Sequence, residues 1–199
     1  MKNVKYIPAK AIKINLPEVR QEEDWSCGAA VLLSVLLHYG KGPLTEKMVG
    51  DKLKMDETGT DPFQIKKVLN DYKIRFREYR GMTIAQLKQN INKGYPVLIM
   101  LQAWGDNPEL YTCCKAECED GHWLIAIGYD KDNIYFEDPV LDVSRGYIKV
   151  KELDTRWHDY EYLSEKDSKA RNRYHSDHYG IAITVKRQGS KKVQVEAVP

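Results

Sequence analysis

The period of the apolar positions changes once along the chain, near residue 94. Over residues 27–39 almost every position is apolar (Ala29, Ala30, Val31, Leu32, Leu33, Val35, Leu36, Leu37), which predicts a helix buried all round rather than one with a wet face. Ser26 stands at its cap position and Gly40 at its end. A second helix is predicted over residues 45–54. A third opens at Asp61-Pro62, with Asp as the cap, Pro in the first turn and Gln64 completing a capping-box pattern. Phe63, Ile65, Val68, Leu69 and Tyr72 form its apolar face. A fourth begins at Thr83, again with Gln three residues on, carries Ile84, Leu87 and Ile91, and stops at Gly94. A short strand over 74–79 separates the last two helices.

Beyond residue 94, β-branched and aromatic runs bounded by turn residues take over, at 96–104, 123–129, 134–137, 147–150 and 179–185. They predict strands of one antiparallel sheet, with a short helix over 151–157. Helices first and strands second make an α+β fold the expectation, with a buried central helix packed on the sheet. One domain is expected over residues 1–186, and 187–199 reads as a polar, mobile tail.

Composition narrows the classes of function. An apolar content of 42% in 199 residues is enough for a core without staples, and it excludes a disordered chain. With 31 Lys and Arg against 29 Asp and Glu, the net charge of +2 gives no basic footprint, so nucleic acid is not an expected partner. The longest apolar runs, 29–33 and 95–101, fall short of the roughly 20 residues of a membrane helix. The first residues lack the apolar block of a secretory signal. A cytoplasmic protein without a membrane span is therefore expected. The four cysteines, Cys27 apart from Cys113, Cys114 and Cys118, are not laid out as a disulfide framework.

Cys27 is the residue that carries chemistry. It falls in the first turn of the buried helix, where unpaired amides and the macrodipole favour a thiolate, the reactive form of the thiol. Gly28, Ala29 and Ala30 leave the sulfur uncrowded. Six residues earlier, Gln21 can direct its amide to the spot served by the Cys27 backbone N–H, and two such donors make an oxyanion hole. Downstream, a hairpin closed by the 130–133 turn brings His122 and Asp138 to one open end as expected cross-strand neighbours. A carboxylate there fixes the imidazole tautomer that takes a proton from Cys27.

This set, Gln21, Cys27-Gly28-Ala29-Ala30, Gly121-His122 on a strand and Asp138-Pro139 sixteen residues after the histidine, resembles the papain-like cysteine peptidases. More narrowly, it resembles the bacteriocin-processing (double-glycine leader) peptidase family and its stand-alone relatives. The resemblance implies a papain-like fold, with Cys27 as nucleophile, His122 as general base and acid, Asp138 as orienting group and Gln21 as oxyanion donor. Its best-known members carry the peptidase domain ahead of a membrane exporter, for which 199 residues leave no room. The stretch before His122, with its three cysteines, is also longer than the family pattern.

A zinc site of Cys113, Cys114, Cys118 and His122 is set aside because the spacing is unlike paired knuckles and would consume the base. His175 and His178 read as part of a polar loop before the last strand, and Trp157-His158 as a packing residue beside a surface histidine. The expectation is a thiol peptidase that hydrolyses amide bonds of a peptide or protein through a Cys27 thioacyl-enzyme, with no metal or organic cofactor. The alternatives are a non-catalytic peptide-binding module and an acyl-enzyme transferase.

Overall fold

A computed structural model of the chain describes residues 10–42, 45–103 and 120–185. Cys113, Cys114, Cys118 and the 187–199 tail lie outside the described residues. Three helices open the fold: α1 (Cys27–His38), α2 (Glu46–Leu53) and α3 (Pro62–Asp71). Then come β1 (Phe76–Tyr79), α4 (Ile84–Asn92), β2 (Val97–Gln102), β3 (Gly121–Tyr129), β4 (Asn133–Glu137) and β5 (Arg145–Lys149). The helix α5 (Val150–Arg156), the strand β6 (His158–Glu161), the helix α6 (Glu165–Ala170) and the strands β7 (Tyr174–Asp177) and β8 (Gly180–Ile183) complete it.

Local chemistry accounts for the helix boundaries. Pro62 occupies the first turn of α3, and the Asp61 N–H donates to Gln64 Oε1 at 2.7 Å, half of the capping box that the sequence pattern predicts. Thr83 caps α4 in the same way, accepting from Gln86 N. Every residue of α1 except Leu37 is buried, as its apolar run predicts, and the helix packs on α2 and β3. Leu32 and Leu36 are wholly excluded from water, which stabilises the fold by roughly 2 kcal/mol each.

Six strands form one antiparallel sheet in the order β1-β8-β2-β3-β4-β5, so the last strand of the described chain inserts between the first two. All six residues of β2 are buried, because β2 and β3 are covered by α4 and β6 as well as by α1's packing on β3. Among the described residues, no helix is long and apolar enough to cross a membrane.

Two expectations are corrected at the far end of the sheet. β6 and β7 pair as a separate two-stranded ribbon, so Tyr174–Asp177 is a strand and not a polar loop. His158 is buried at 8% exposure, not a surface residue, and its ring lies 5.5 Å from that of His175. The strands read as loops because their inward residues are polar: Glu161, fully buried, pairs with Arg80 Nη1 at 2.8 Å. Tertiary partners satisfy what the sequence pattern alone assigns to water.

The feature that matters most for the site is a strap formed by residues 11–21. The Tyr129 N–H donates to Ala11 O at 2.9 Å, and the N–H groups of Lys13 and Ile14 both donate to Ile127 O. This pairing falls where the β3–β4 register shifts between Ala126 and Gly128, a bulge that frees the Ile127 carbonyl for the strap. Farther on, the Ser34 hydroxyl of α1 donates to Pro17 O at 2.6 Å and Arg145 Nη2 to Asn15 Oδ1 at 2.7 Å. The strap ends with the Gln21 N–H on Pro139 O at 3.1 Å, beside Asp138.

Candidate active site

Cys27 is the first residue of α1 and is 7% exposed. Ser26 precedes it at the cap position but does not cap with its side chain; the hydroxyl instead accepts from the Glu23 N–H at 3.0 Å and donates to Glu23 O at 2.9 Å. The helix start is therefore held by a closed turn over residues 23–26, with the Ser26 N–H also on Glu23 O at 3.1 Å. Gly28 has to be small: a Cβ there would lie 2.7 Å from Thr60 Cβ. Thr60 in turn accepts the Trp123 indole N–H on its carbonyl at 2.8 Å. The residues that follow Cys27 and His122 are thus both seated on Thr60, a link that no spacing in the sequence indicates.

His122 lies near the start of β3, 6% exposed. Its Nε2 stands 3.0 Å from Asp138 Oδ1, and the ring also shares a hydrogen bond with the Cys27 side chain, which leaves Nδ1 as the nitrogen on the Cys27 side. Burial of the ring opposes its charged form, but the hydrogen bonds with Asp138 and Cys27, and their negative charge, outweigh it and raise the imidazole to about 9. Asp138 Oδ1 also accepts the Val140 N–H at 3.0 Å, and the Asp138 N–H donates to Ser144 O at 2.8 Å. The carboxylate is locked by its own turn.

His122 and Asp138, expected as cross-strand neighbours within a register step, meet across the hairpin on a longer diagonal. The last paired residues there are Ile125 and Glu137, so Asp138 lies one step past the ladder and reaches diagonally to a residue three positions before Ile125. The preceding Glu137 is buried beside Arg145, whose Nε donates to it at 2.9 Å. Burial raises the Glu137 carboxyl to about 7, against the charge and hydrogen bond of Arg145, with Glu18 adding to the rise.

Gln21 reaches the same neighbourhood through the strap, since its N–H is on Pro139 O. Its side chain is turned inward on the loop: Nε2 donates to Glu23 O at 2.8 Å and to Asp24 O at 3.2 Å, and Oε1 is buried with no partner. Cys27, His122 and Asp138 are connected by hydrogen bonds, while Gln21 is tied to them through backbone. A residue that the sequence reading missed is Glu46 at the start of α2, whose carboxylate accepts the Glu22 N–H. Among the described residues there is no group of three or more His, Cys, Asp or Glu that could hold a metal ion.

Solved structures with the same fold are peptidase domains. A Bacillus anthracis protein described as a C39-like peptidase superposes with a TM-score of 0.64 at 14% identity, covering 91% of this chain and all of that one. The peptidase domain of Streptococcus ComA, a bifunctional ABC transporter of a quorum-sensing pathway, gives 0.55 at 17% identity, covering 83% of this chain and 94% of that one. A double glycine motif protease from an AMS/PCAT transporter, solved with its leader peptide, gives 0.53 at 19% identity over 75% of this chain and 89% of that one. At these identities the likeness establishes the fold, the papain-like arrangement of these C39 domains. No curated protein sequence matches the chain. The sequence pattern of the Peptidase_C39 like family, by contrast, matches residues 13–166, from the strap through α1 and the β3–β4 hairpin into α6. With more than half its length so matched and its fold shared with C39 domains, the chain belongs to the Peptidase_C39 like family.

Proposed function

We propose that this protein is a cysteine peptidase in which Cys27 is the nucleophile, His122 the general base and acid, and Asp138 the group that orients the imidazole. The observation that carries the reading is the His122 ring held between the Asp138 carboxylate at 3.0 Å and the Cys27 thiol. With the imidazole raised to about 9, it is a base able to take and hold the Cys27 proton, which frees the sulfur for attack on an amide carbonyl. The sulfur adds to the carbonyl carbon, the imidazolium gives its proton to the departing amine, and a thioester remains. Water, deprotonated by the now neutral His122, then releases the acid and restores the thiol pair.

The negative oxygen of the tetrahedral intermediate is assigned to the Cys27 backbone N–H, free at the helix start, and to Gln21. Gln21 serves there by giving up its longer hydrogen bond, the one to Asp24 O at 3.2 Å, while keeping the shorter to Glu23 O. The substrate is a peptide or protein. A related protease solved with its leader peptide supports a peptide ligand in this fold.

The test is cleavage of a complex peptide pool followed by mass spectrometry, with Cys27→Ala and His122→Ala as controls. Wild-type protein is expected to generate new termini, and each variant to lose the activity by about 10³-fold or more. Persistent cleavage by Cys27→Ala, or a wild-type protein that binds peptides without cutting them or ligating added amines, overturns the reading.

A further inference from the structure

Gln21 is clamped on both sides by consecutive backbone amides. Its own N–H is held by Pro139 O at 3.1 Å, in the turn that carries Asp138, and the next N–H, that of Glu22, is held by the Glu46 carboxylate at 3.1 and 3.2 Å. Glu46 comes from α2, which packs against α1. It is only 5% exposed, and no Lys or Arg pairs with it among the described residues. The Ser26 hydroxyl, which closes the same turn on Glu23, lies in its electrostatic neighbourhood. Burial raises the carboxyl; the Ser26 hydroxyl and the Glu22 N–H pull it back, and the Glu22 and Glu23 carboxylates add to the rise.

A buried carboxylate without a cation is a costly placement, and a helix start needs only an exposed acid to gain from the dipole. Here the carboxylate is spent on one loop. It holds the residue after Gln21, at the start of the Glu22–Ser26 turn that separates the proposed oxyanion donor from the nucleophile, and the Ser26 hydroxyl closes the other end of that turn on Glu23.

We propose that Glu46 is a positioning residue for this site, fixing the 22–26 turn so that the Gln21 amide is presented to the developing oxyanion beside Cys27. The proposal rests on the cysteine-peptidase reading above. It predicts a selective defect, because an oxyanion forms when the thiolate adds to a carbonyl but not when it displaces iodide from iodoacetamide. Addition to p-nitrophenyl acetate forms the S–acyl bond, breaks the ester C–O bond and releases p-nitrophenolate, with the oxyanion in between.

The experiment measures both rates on the full chain, for wild type, Glu46→Ala, Glu46→Gln, Gln21→Ala and the double variant Gln21→Ala/Glu46→Ala. Glu46→Gln keeps the side-chain shape but sets an amide N–H against the Glu22 N–H, so it reports on the hydrogen bond even where Glu46→Ala fails to fold. Both Glu46 variants are expected to slow acylation about tenfold or more, part of the roughly 10²- to 10³-fold that one oxyanion donor supplies, while iodoacetamide alkylation of Cys27 stays within about twofold. Since Glu46 acts through Gln21, the double variant should be no slower than Gln21→Ala. Equal slowing of both reactions, unchanged acylation, or additive losses in the double variant each overturn the assignment of Glu46 alone. A wild-type protein that iodoacetamide alkylates at Cys27 but that shows no acylation overturns the peptidase reading, and this proposal with it.

Discussion

At the scale of single residues, the site depends on which ring nitrogen faces which partner. His122 Nε2 is committed to Asp138 Oδ1 at 3.0 Å, so under the proposed mechanism the proton exchanged with Cys27 passes through Nδ1. The raised imidazole value is a sum of opposing effects: burial alone would lower it, and it reaches about 9 only through Asp138 and Cys27. Removing one partner should therefore move it. In Cys27→Ala, the His122 ring proton resonances are expected to titrate below the wild-type midpoint, because the interactions with the Cys27 side chain that raise it are gone while burial remains. NMR titration of the two proteins checks this, and an unchanged midpoint would show that Asp138 alone sets it. Asp138 is well built for its part, since one of its oxygens accepts from both the imidazole and the Val140 N–H and is held from rotating away.

At the scale of elements, the site is assembled by the strap of residues 11–21, which crosses the β3–β4 bulge and hands Gln21 to the Asp138 turn. Gly128 makes that crossing possible. A Cβ at this position would meet the Ala11 carbonyl oxygen and lie 2.9 Å from Ile12 Cα, and both are backbone atoms with no rotamer to escape into. Gly128→Ala is expected to lift the strap at a cost of about 1 to 3 kcal/mol. Urea unfolding measures the cost, and hydrogen exchange locates it: the Lys13, Ile14 and Tyr129 amides, bonded across the strap, should lose protection. Protection at those amides equal to wild type would mean that the strap does not need the glycine. Thr60 plays a comparable joining part on the other side of the site, under Gly28 and beside Trp123.

At the scale of the whole molecule, three of the buried groups held above their ordinary values fall near neutral pH: Glu137 and Asp159 at about 7 and His122 at about 9. Burial is the leading cause for both carboxyls, whereas for His122 the partners overcome it. In each case the folded state favours the protonated form. The stabilising contribution is therefore complete below the unfolded value, near 4 for a carboxyl and 6.5 for imidazole, and is lost as pH rises through the folded value. Stability is expected to fall over two windows, roughly pH 4 to 7 from the carboxyls and 6.5 to 9 from His122. Denaturation midpoints measured from pH 5 to 10 should show both in wild type, and His122→Phe should lack the upper one. A decline above pH 7 that is equally steep in both proteins would remove His122 as its source.

Much of this was legible in the amino-acid sequence because it is local. The buried helix that starts at Cys27, the capping boxes at Asp61 and Thr83 and the β-branched runs of the sheet all depend on neighbours a few positions apart, and spacing records those directly. The pairing of His122 with Asp138 was legible because one hairpin joins them, although Asp138 lies past the end of the ladder and the real contact runs on a diagonal. The ribbon of β6 and β7 was not legible, since Glu161 reads as a solvent residue until Arg80, 81 positions away, neutralises it. Nor was Glu46, 24 positions from the amide it holds, or Thr60, 63 from the indole it receives. What the sequence by itself determined is which residues have the chemistry and which elements carry them. Only the tertiary structure decided how those residues are held, because a buried polar group is recognised by its partner, and the partner's place in the chain leaves no periodic trace.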